Sequence, residues 1–433
     1  VSEEDALPEL VRAVTALSLD EVPPPVREHA ARVLADTLGV IMAGALRPEI
    51  EALVAGDGDL FSPISGGPSQ ILRPGLPGSS PAAAAFVNGT AGTFLELDEG
   101  YRPTGHPAIH VLPAALAAAQ ALHRPGSDLL AAFLAGYEVT ARLFEAYRLT
   151  YPLHPHGHFG AVGAAVAVAR LRGADPAEPA AIAATLPLLS VWQPCYEGAT
   201  ARNAYAGTAA AIGVMANRMA VAGFTGSRQA QPVAFGDLVG HVHDRAALTA
   251  SIDPERPRIL NDYLKLHSAC ALSHTALDAV LQLAPAAAEV TAVEIETVAN
   301  SMKLDRQAAG NDLSARFSLP YAVAAAIVHG HTRPEAFRPD PRVTELAARV
   351  TVRHDRALEA GWPESSPARV TVHASGRTLV SQVDNARGHH ANPASPVELR
   401  AKFEMLCWLP APGAAWERLL SIESVADCAE LFG

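Results

Sequence analysis

The sequence predicts a mainly α protein: a large all-helical domain formed by both chain ends, with a smaller α+β domain inserted between them. Three observations carry this. Alanine-rich segments with apolar side chains at helical spacing fill the first 260 residues, β-branched alternation appears only from about residue 290, and helical patterning returns near residue 395. A chain of 433 residues has the length for two domains.

The first helix is clear in "VREHAARVLADTLGVIMAGA", where Val33, Leu34, Leu38 and Ile41 recur at near 3.6-residue spacing up to Gly44. Comparable segments follow at "SPAAAAFVNGTAGTFLEL", "LPAALAAAQALH", "SDLLAAFLAGYEVTARLFEAY", "GAVGAAVAVARLRG" and "NAYAGTAAAIGVMANRMAVAG". Their small residues let helices approach closely, which predicts a packed helical domain. Strands are predicted at "VTAVEIETV" (290–298), "RVTVRHD" (349–355) and "ARVTVHASGRTLVSQV" (368–383), the last a hairpin turning at Ser375-Gly376. Helical "SHTALDAVLQLA" and "LPYAVAAAIVHG" make that region α+β. In "SPVELRAKFEML", Ser395 is the expected N-cap, Pro396 the first helical residue and Glu398 the partner in a capping box. The expected division is 1–262 with 390–433 for the helical domain and 263–389 for the α+β domain.

Composition narrows the function. Apolar residues make up 49% and charged residues 18%, with mean hydropathy +0.14, which fits a folded core and not a disordered chain. The net charge of −12 and the absence of long like-charge runs argue against nucleic acid or an anionic membrane surface as partner. A small anionic substrate stays compatible, because a few focused cations in a cleft outweigh an acidic surface. The four cysteines, Cys195, Cys270, Cys407 and Cys428, are widely spaced without a CxxC pair and form neither a disulfide framework nor a thiolate zinc site. They suit a cytoplasmic protein, and the acidic "VSEEDALPEL" lacks the basic-then-apolar order of a signal peptide. Apolar stretches fall short of the roughly 20 residues that span a bilayer.

Chemistry concentrates in a few places. In "LELDEGYRPTGHPAIHVLP" (95–113), Phe94, Leu95 and Leu97 are expected to end a buried helix and deliver Glu96, Asp98 and Glu99 to its C-terminal edge. Carboxylates there oppose the helix dipole by about 0.3–1 kcal/mol each, so a compensating role is worth seeking. Gly100, Pro103, Gly105 and Pro107 predict a loop with His106 at its apex, and Pro113 is expected to open the next helix just after His110. A solvated connection between helices is the plain alternative.

In "HPHGHFGAVG", His154, His156 and His158 alternate before an Ala-rich helix, as in a metal-binding HxH on extended chain. The same residues fit a helix N-terminus holding a substrate carboxylate beside a proton-transfer histidine, or a structural histidine knot. Arg202 in "ATARNAYAG" and Lys265 in "YLKLHSACALSH" either reach the surface or, if interior, act as anion clamps. Tyr321 is either a core aromatic or a hydroxyl donor in a cleft. GxGxxG, Walker A, GxSxG and HExxH motifs are absent.

Taken in order, "ADTLGVIMAGA", "AAFVNGTAGTFLELDEG", "GHPAIHVLPAALA", "GYEVTARL", "HPHGHFGAVGAAVAVARLRG", "RNAYAG", "KLHSACALSHTALDAV", "ARFSLPYAVAAAIVHG" and "NPASPVELRAKFEML" resemble the MmgE/PrpD family of 2-methylcitrate dehydratases and cis-aconitate decarboxylases over nearly the whole chain. The resemblance implies that the α+β domain is a lid, that the site lies in the cleft between domains, that the protein is a homodimer, and that it needs no metal or organic cofactor. By motif it implies a site of Glu96 with Asp98 nearby, His106, His154, Arg202, Lys265 and Tyr321, with His158 and Gly100 as further substrate-binding positions. Glu96 and Arg202 stand where cis-aconitate decarboxylases are matched to Asp and Lys, and Gly100 where some relatives have a hydroxyl residue.

The implied reaction is acid-base proton transfer next to a carboxylate of a small polycarboxylate: a cofactor-independent lyase of hydro-lyase or decarboxylase type. His106 or His154 would move the proton, Glu96 or Asp98 orient the imidazole, Arg202 and Lys265 hold carboxylates, and Tyr321 assist. An isomerase or epimerase of the same family, a metal-dependent hydrolase using His154, His156 and His158, and a carboxylate-binding protein are the alternatives.

Overall fold

The computed structural model describes residues 3–58, 60, 62–307 and 310–432. Among the described residues two large hydrophobic cores form, with a small third cluster of Val40, Leu95, Leu97 and Leu406. The larger gathers buried residues from Ala6 to Leu264 and again from Leu399 to Leu431; the smaller runs from Trp192 to Val383. The fold is mainly α, as the periodicity predicts.

The predicted helices appear as Pro24–Gly44, Pro81–Ala91, Pro107–Ala121, Gly126–Ala146, Gly160–Arg172 and Ala204–Val221 in the first core, and His274–Leu283 and Leu319–His329 in the second. Close approach is real. A Cβ built on Gly89 would lie 2.8 Å from Gly207 Cα, so the helices carrying them meet backbone to backbone. That contact brings the turn before Ala204, and with it Arg202, against the segment that follows Ala91.

Short strands β1 (Gly100–Tyr101), β2 (Tyr147–Leu149), β3 (Gly240–Val242) and β4 (Asp262–Tyr263) form two antiparallel pairs, β1 with β4 and β2 with β3. Strands β5 (Val290–Thr297), β6 (Val350–His354), β7 (Ala368–Ala374) and β8 (Arg377–Val383) make a four-stranded sheet in the order β6-β5-β7-β8. The β5–β6 pair is parallel and the others antiparallel, and the β7–β8 turn is Ser375-Gly376, both residues at positive φ. The Pro396–Leu406 helix carries the expected capping box and packs on the Pro24–Gly44 helix. Among the described residues no helix is long and apolar enough to cross a membrane.

Two expected boundaries move. The helix before the acidic segment ends at Ala91, and Phe94, Leu95 and Leu97 are buried in a non-helical turn in which Glu96 has φ 51°. The next helix starts at Pro107, leaving Pro113 inside it. The reason is local: Glu99 Oε2 accepts from Ala108 N–H at 3.0 Å, and the Glu99 carbonyl accepts from His106 Nδ1 at 2.7 Å, so the chain is already capped at His106.

Candidate active site

The register of β1 on β4 sets Gly100 opposite Tyr263 and Tyr101 opposite Asp262, and so lays the 95–106 segment beside the strand that leads to Lys265. The segment is also held from behind. Lys402, buried on the C-terminal helix, bonds Asp36 at 2.8 Å and donates to the Leu97 carbonyl at 3.0 Å. One chain end thus fixes the loop that the other presents.

A chamber of about 80 Å³ opens here between the two cores. Glu96, Gly100, His106, His154, Arg202 and Lys265 line it from the sequence-predicted set; Cys270, Asn300, Phe317 and Trp362 close it from the smaller core. Asp98 lies just beneath the lining. Its Oδ1 is 3.2 Å from Lys265 Nζ and its Oδ2 3.0 Å from His106 Nδ1. Glu96 contacts Arg202 at 2.6 Å and Lys265 at 3.4 Å. Burial alone would raise the Asp98 carboxyl, but Lys265, His106 and Arg202 outweigh it and hold it well below the usual carboxylate range. Burial works against the Lys265 ammonium too, yet Asp98 and Glu96 raise it, so Lys265 stays charged and is no proton acceptor near neutral pH.

His106 Nδ1 must donate, since the Glu99 carbonyl only accepts, and this leaves Nε2 as the nitrogen with a free lone pair. Its ring stacks on His156 at 4.2 Å, and His156 stacks on His154 at 5.0 Å, giving three near-parallel imidazoles. Burial first, then repulsion from Arg202 and His106, lowers His154 well below its ordinary value; burial followed by His106 and Arg202 does the same to His156. His154 Nδ1 accepts from the His156 backbone N–H at 3.2 Å, which places its proton on Nε2. Beneath the stack, His110 donates from Nδ1 to the His106 carbonyl and accepts at Nε2 from Gly157 N–H, and burial lowers it to about 4. Gly160 makes room for that ring: a Cβ there would fall 2.2 Å from His110 Cγ.

Several expectations need correction. The three alternating histidines do not share a face, because Gly157 turns the chain with φ 108° and sends His158 to Ser190, 2.9 Å from its Oγ. His158 therefore does not line the chamber, and burial lowers it to about 4. Tyr321 is also elsewhere: its hydroxyl donates to the Arg338 carbonyl at 2.8 Å and accepts from Asp340 N–H, closing a loop in the smaller core. Arg202 and Lys265 are interior, but each is already paired with a carboxylate and so is not a free anion clamp. Gly100 does line the chamber, and a Cβ there would sit an ordinary 3.6 Å from Tyr263, so the backbone does not demand glycine.

Sequence reasoning missed Arg102. Its side chain is nine-tenths buried, lines the chamber, lies over the Tyr263 ring at 5.5 Å and feels the Glu364 carboxylate, but among the described residues it forms no ion pair and its Nε has no hydrogen-bond partner. Burial lowers it, as expected of an unpaired cation. An arginine before a proline in a loop gives no local signal of such a position. Tyr263, which hydrogen-bonds His274, was missed for the same reason.

Among the described residues, one group has metal-ligand spacing: Asp98, His106 and His156. Asp98 Oδ2 faces both rings, 3.0 Å from His106 Nδ1 and 3.5 Å from His156 Nε2, and neither it nor either His156 nitrogen has a hydrogen-bond partner; against a cation stand the His106 Nδ1 bond to the Glu99 carbonyl and the buried Lys265 ammonium 3.2 Å from Asp98 Oδ1. The triple-histidine ligand set does not assemble.

The chain is 27% identical to cis-aconitate decarboxylase of Mus musculus over 374 residues, covering 76% of this chain and 73% of the relative. It is 25% identical to cis-aconitate decarboxylase of Homo sapiens over 462 residues, covering 97% and 92%, and 24% identical to the cis-aconitate decarboxylase-like protein oryM of Aspergillus oryzae over 466 residues, covering 98% and 95%. Residues 8–239 match the MmgE/PrpD N-terminal domain and residues 267–427 the MmgE/PrpD C-terminal domain, and the chain belongs to the MmgE/PrpD family.

Proposed function

We propose that the protein is a lyase that moves a proton at carbon beside a carboxylate of a small polycarboxylate, in a dehydration or a decarboxylation. The observation that carries this is the Asp98–His106 pair: Nδ1 is bonded to the Glu99 carbonyl and lies 3.0 Å from Asp98 Oδ2, which leaves Nε2 free on a ring that lines the chamber. His106 Nε2 takes or returns the proton, and Asp98 stabilises the imidazolium that forms. His154, protonated on Nε2 and neutral, donates to the leaving hydroxyl or to the developing enolate. Arg102 stabilises negative charge spreading onto the carboxylate, while Arg202 and Lys265, paired with Glu96 and Asp98, hold those two carboxylates in place. The names of the relatives support a decarboxylase of a tricarboxylate as one member of this set.

The reading includes a homodimer in the cytoplasm. Light scattering tests the dimer, twice 45.2 kDa being the expected mass.

The test is NMR in D₂O with citrate, methylcitrate, cis- and trans-aconitate and iminodisuccinate, using wild type and His106→Ala. Release of CO₂ identifies decarboxylation, alkene formation dehydration, and deuteration alone an epimerase. Wild-type chemistry that His106→Ala retains in full would refute the assignment of His106.

A further inference from the structure

The chamber continues outward into a second cavity of about 570 Å³, and the two share Pro103, Thr104, Pro155, Trp192, Asn300 and Trp362. Charge is distributed unevenly between them. Inside, Glu96 and Asp98 cancel Arg202 and Lys265, so the free positive charge is Arg102 alone. Outside, Arg148 and Lys303 line the cavity with Glu364 as the opposing carboxylate, and His243 adds an imidazole. Neither Arg148 nor Lys303 is in an ion pair with a described carboxylate; Lys303 instead lies over the Tyr151 ring at 5.2 Å and the Trp192 ring at 5.6 Å. Both cations are half-buried.

A compact tricarboxylate held wholly in the inner chamber would place three negative charges against one unpaired cation. The passage between the cavities is walled by two indoles and offers an apolar spacer a dry contact. A partly buried cation in no ion pair favours an anion that joins it, and here such cations stand at both ends of one passage, with Glu364 the carboxylate that acts on both Arg102 and Arg148.

We propose that the cleft binds an elongated dianion: one carboxylate, next to the reacting carbon, at Arg102, and a second carboxylate at Arg148 and Lys303, with the carbon chain between Trp192 and Trp362. The identity of the reacting end rests on the proton-transfer reading above; the two-ended binding does not.

The experiment titrates the tryptophan fluorescence of the full chain with linear α,ω-dicarboxylates from succinate to sebacate, each beside the monocarboxylate of equal length. Longer diacids are expected to bind at least tenfold more tightly than their monoacids, and succinate to show no such gain. Arg148→Gln combined with Lys303→Gln, at half-buried positions, should bring each diacid within twofold of its monoacid, with circular dichroism to establish folding. Arg102→Gln should weaken both classes at least tenfold. Equal affinity of diacids and monoacids at every length, tighter binding of citrate than of any linear diacid, or a diacid preference that survives the double substitution would overturn the proposal. Exchange of α-protons in D₂O is read on the same samples, so loss of proton transfer with two-ended binding intact refutes the catalytic reading alone.

Discussion

Replacing Asp98 by Asn removes one charge from the most buried point of the site while keeping its shape. Asp98 is fully buried, 3.0 Å from His106 Nδ1 and 3.2 Å from Lys265 Nζ. At an effective dielectric of about 20, an imidazolium 3.0 Å from a carboxylate is stabilised by about 5 kcal/mol, which corresponds to roughly three to four decades in the rate of a step that forms it. The same substitution removes a negative charge from Lys265, so anion affinity should hold or improve. The expected result is therefore a kcat lowered by about 10³-fold or more with KM unchanged or reduced. The assay is turnover and deuterium incorporation on the best substrate of the polycarboxylate panel, with circular dichroism to establish folding. A kcat within tenfold of wild type, or a raised KM with kcat intact, would refute the role given to Asp98.

Lys402→Met should destabilise the fold by about 3–5 kcal/mol in urea unfolding, because Asp36 then lies buried without its cation, and Asp36→Leu in the same chain should recover most of the loss. Acid sensitivity should begin early. His110 and His158 sit at about 4 in the fold against about 6.5 in an unfolded chain, so the unfolded state binds more protons between those values. Their stabilisation is complete above about pH 6.5 and is lost as pH falls toward 4, by up to about 3 kcal/mol each; a urea midpoint that stays flat from pH 7 to 4.5 would contradict it. Tyr321→Phe should leave kcat within about twofold and cost about 1–3 kcal/mol of stability, since its hydroxyl serves the Arg338 and Asp340 backbone, and steady-state kinetics beside thermal unfolding separates the two. Glu96→Gln with Arg202→Gln should retain more stability than either change alone, because each single substitution strands a buried charge; a double-mutant cycle with no coupling would count against the pairing.

Much of the fold was legible because its signals are periodic and local. Helix and strand spacing, the Ser375-Gly376 turn and the Ser395–Glu398 capping box each depend on residues within a few positions of one another. The sequence predicts Pro107 in the loop and Pro113 as the first helical residue, but the helix starts at Pro107 because Glu99, whose carboxylate and carbonyl cap the chain at His106, lies outside that local pattern. The histidine alternation misled for a similar reason. It assumes extended chain, and Gly157 supplies the left-handed turn that defeats it. Their motifs bring His106 and His154 to the chamber wall, whereas the Tyr321 hydroxyl lies on the Arg338 carbonyl in the smaller core.

Charge pairing was the part that local sequence could not show. Lys265 lies 167 positions from Asp98 and meets it because β1 and β4 pair at Gly100 and Tyr263. Without that register, Arg202 and Lys265 stand out as cations among small apolar residues, and Arg102 passes as an ordinary loop residue. The folded chain reverses their standing: two cations are spent in neutralising Glu96 and Asp98, and the third is in no ion pair among the described residues. Electrostatic function here belongs to the balance of the cluster, because a buried cation attracts an anion only with the charge its neighbours leave uncancelled. That balance also explains how a chain of net charge −12 can present a cationic cleft: the acidic excess lies elsewhere, while Arg102, Arg148 and Lys303 lie along one passage.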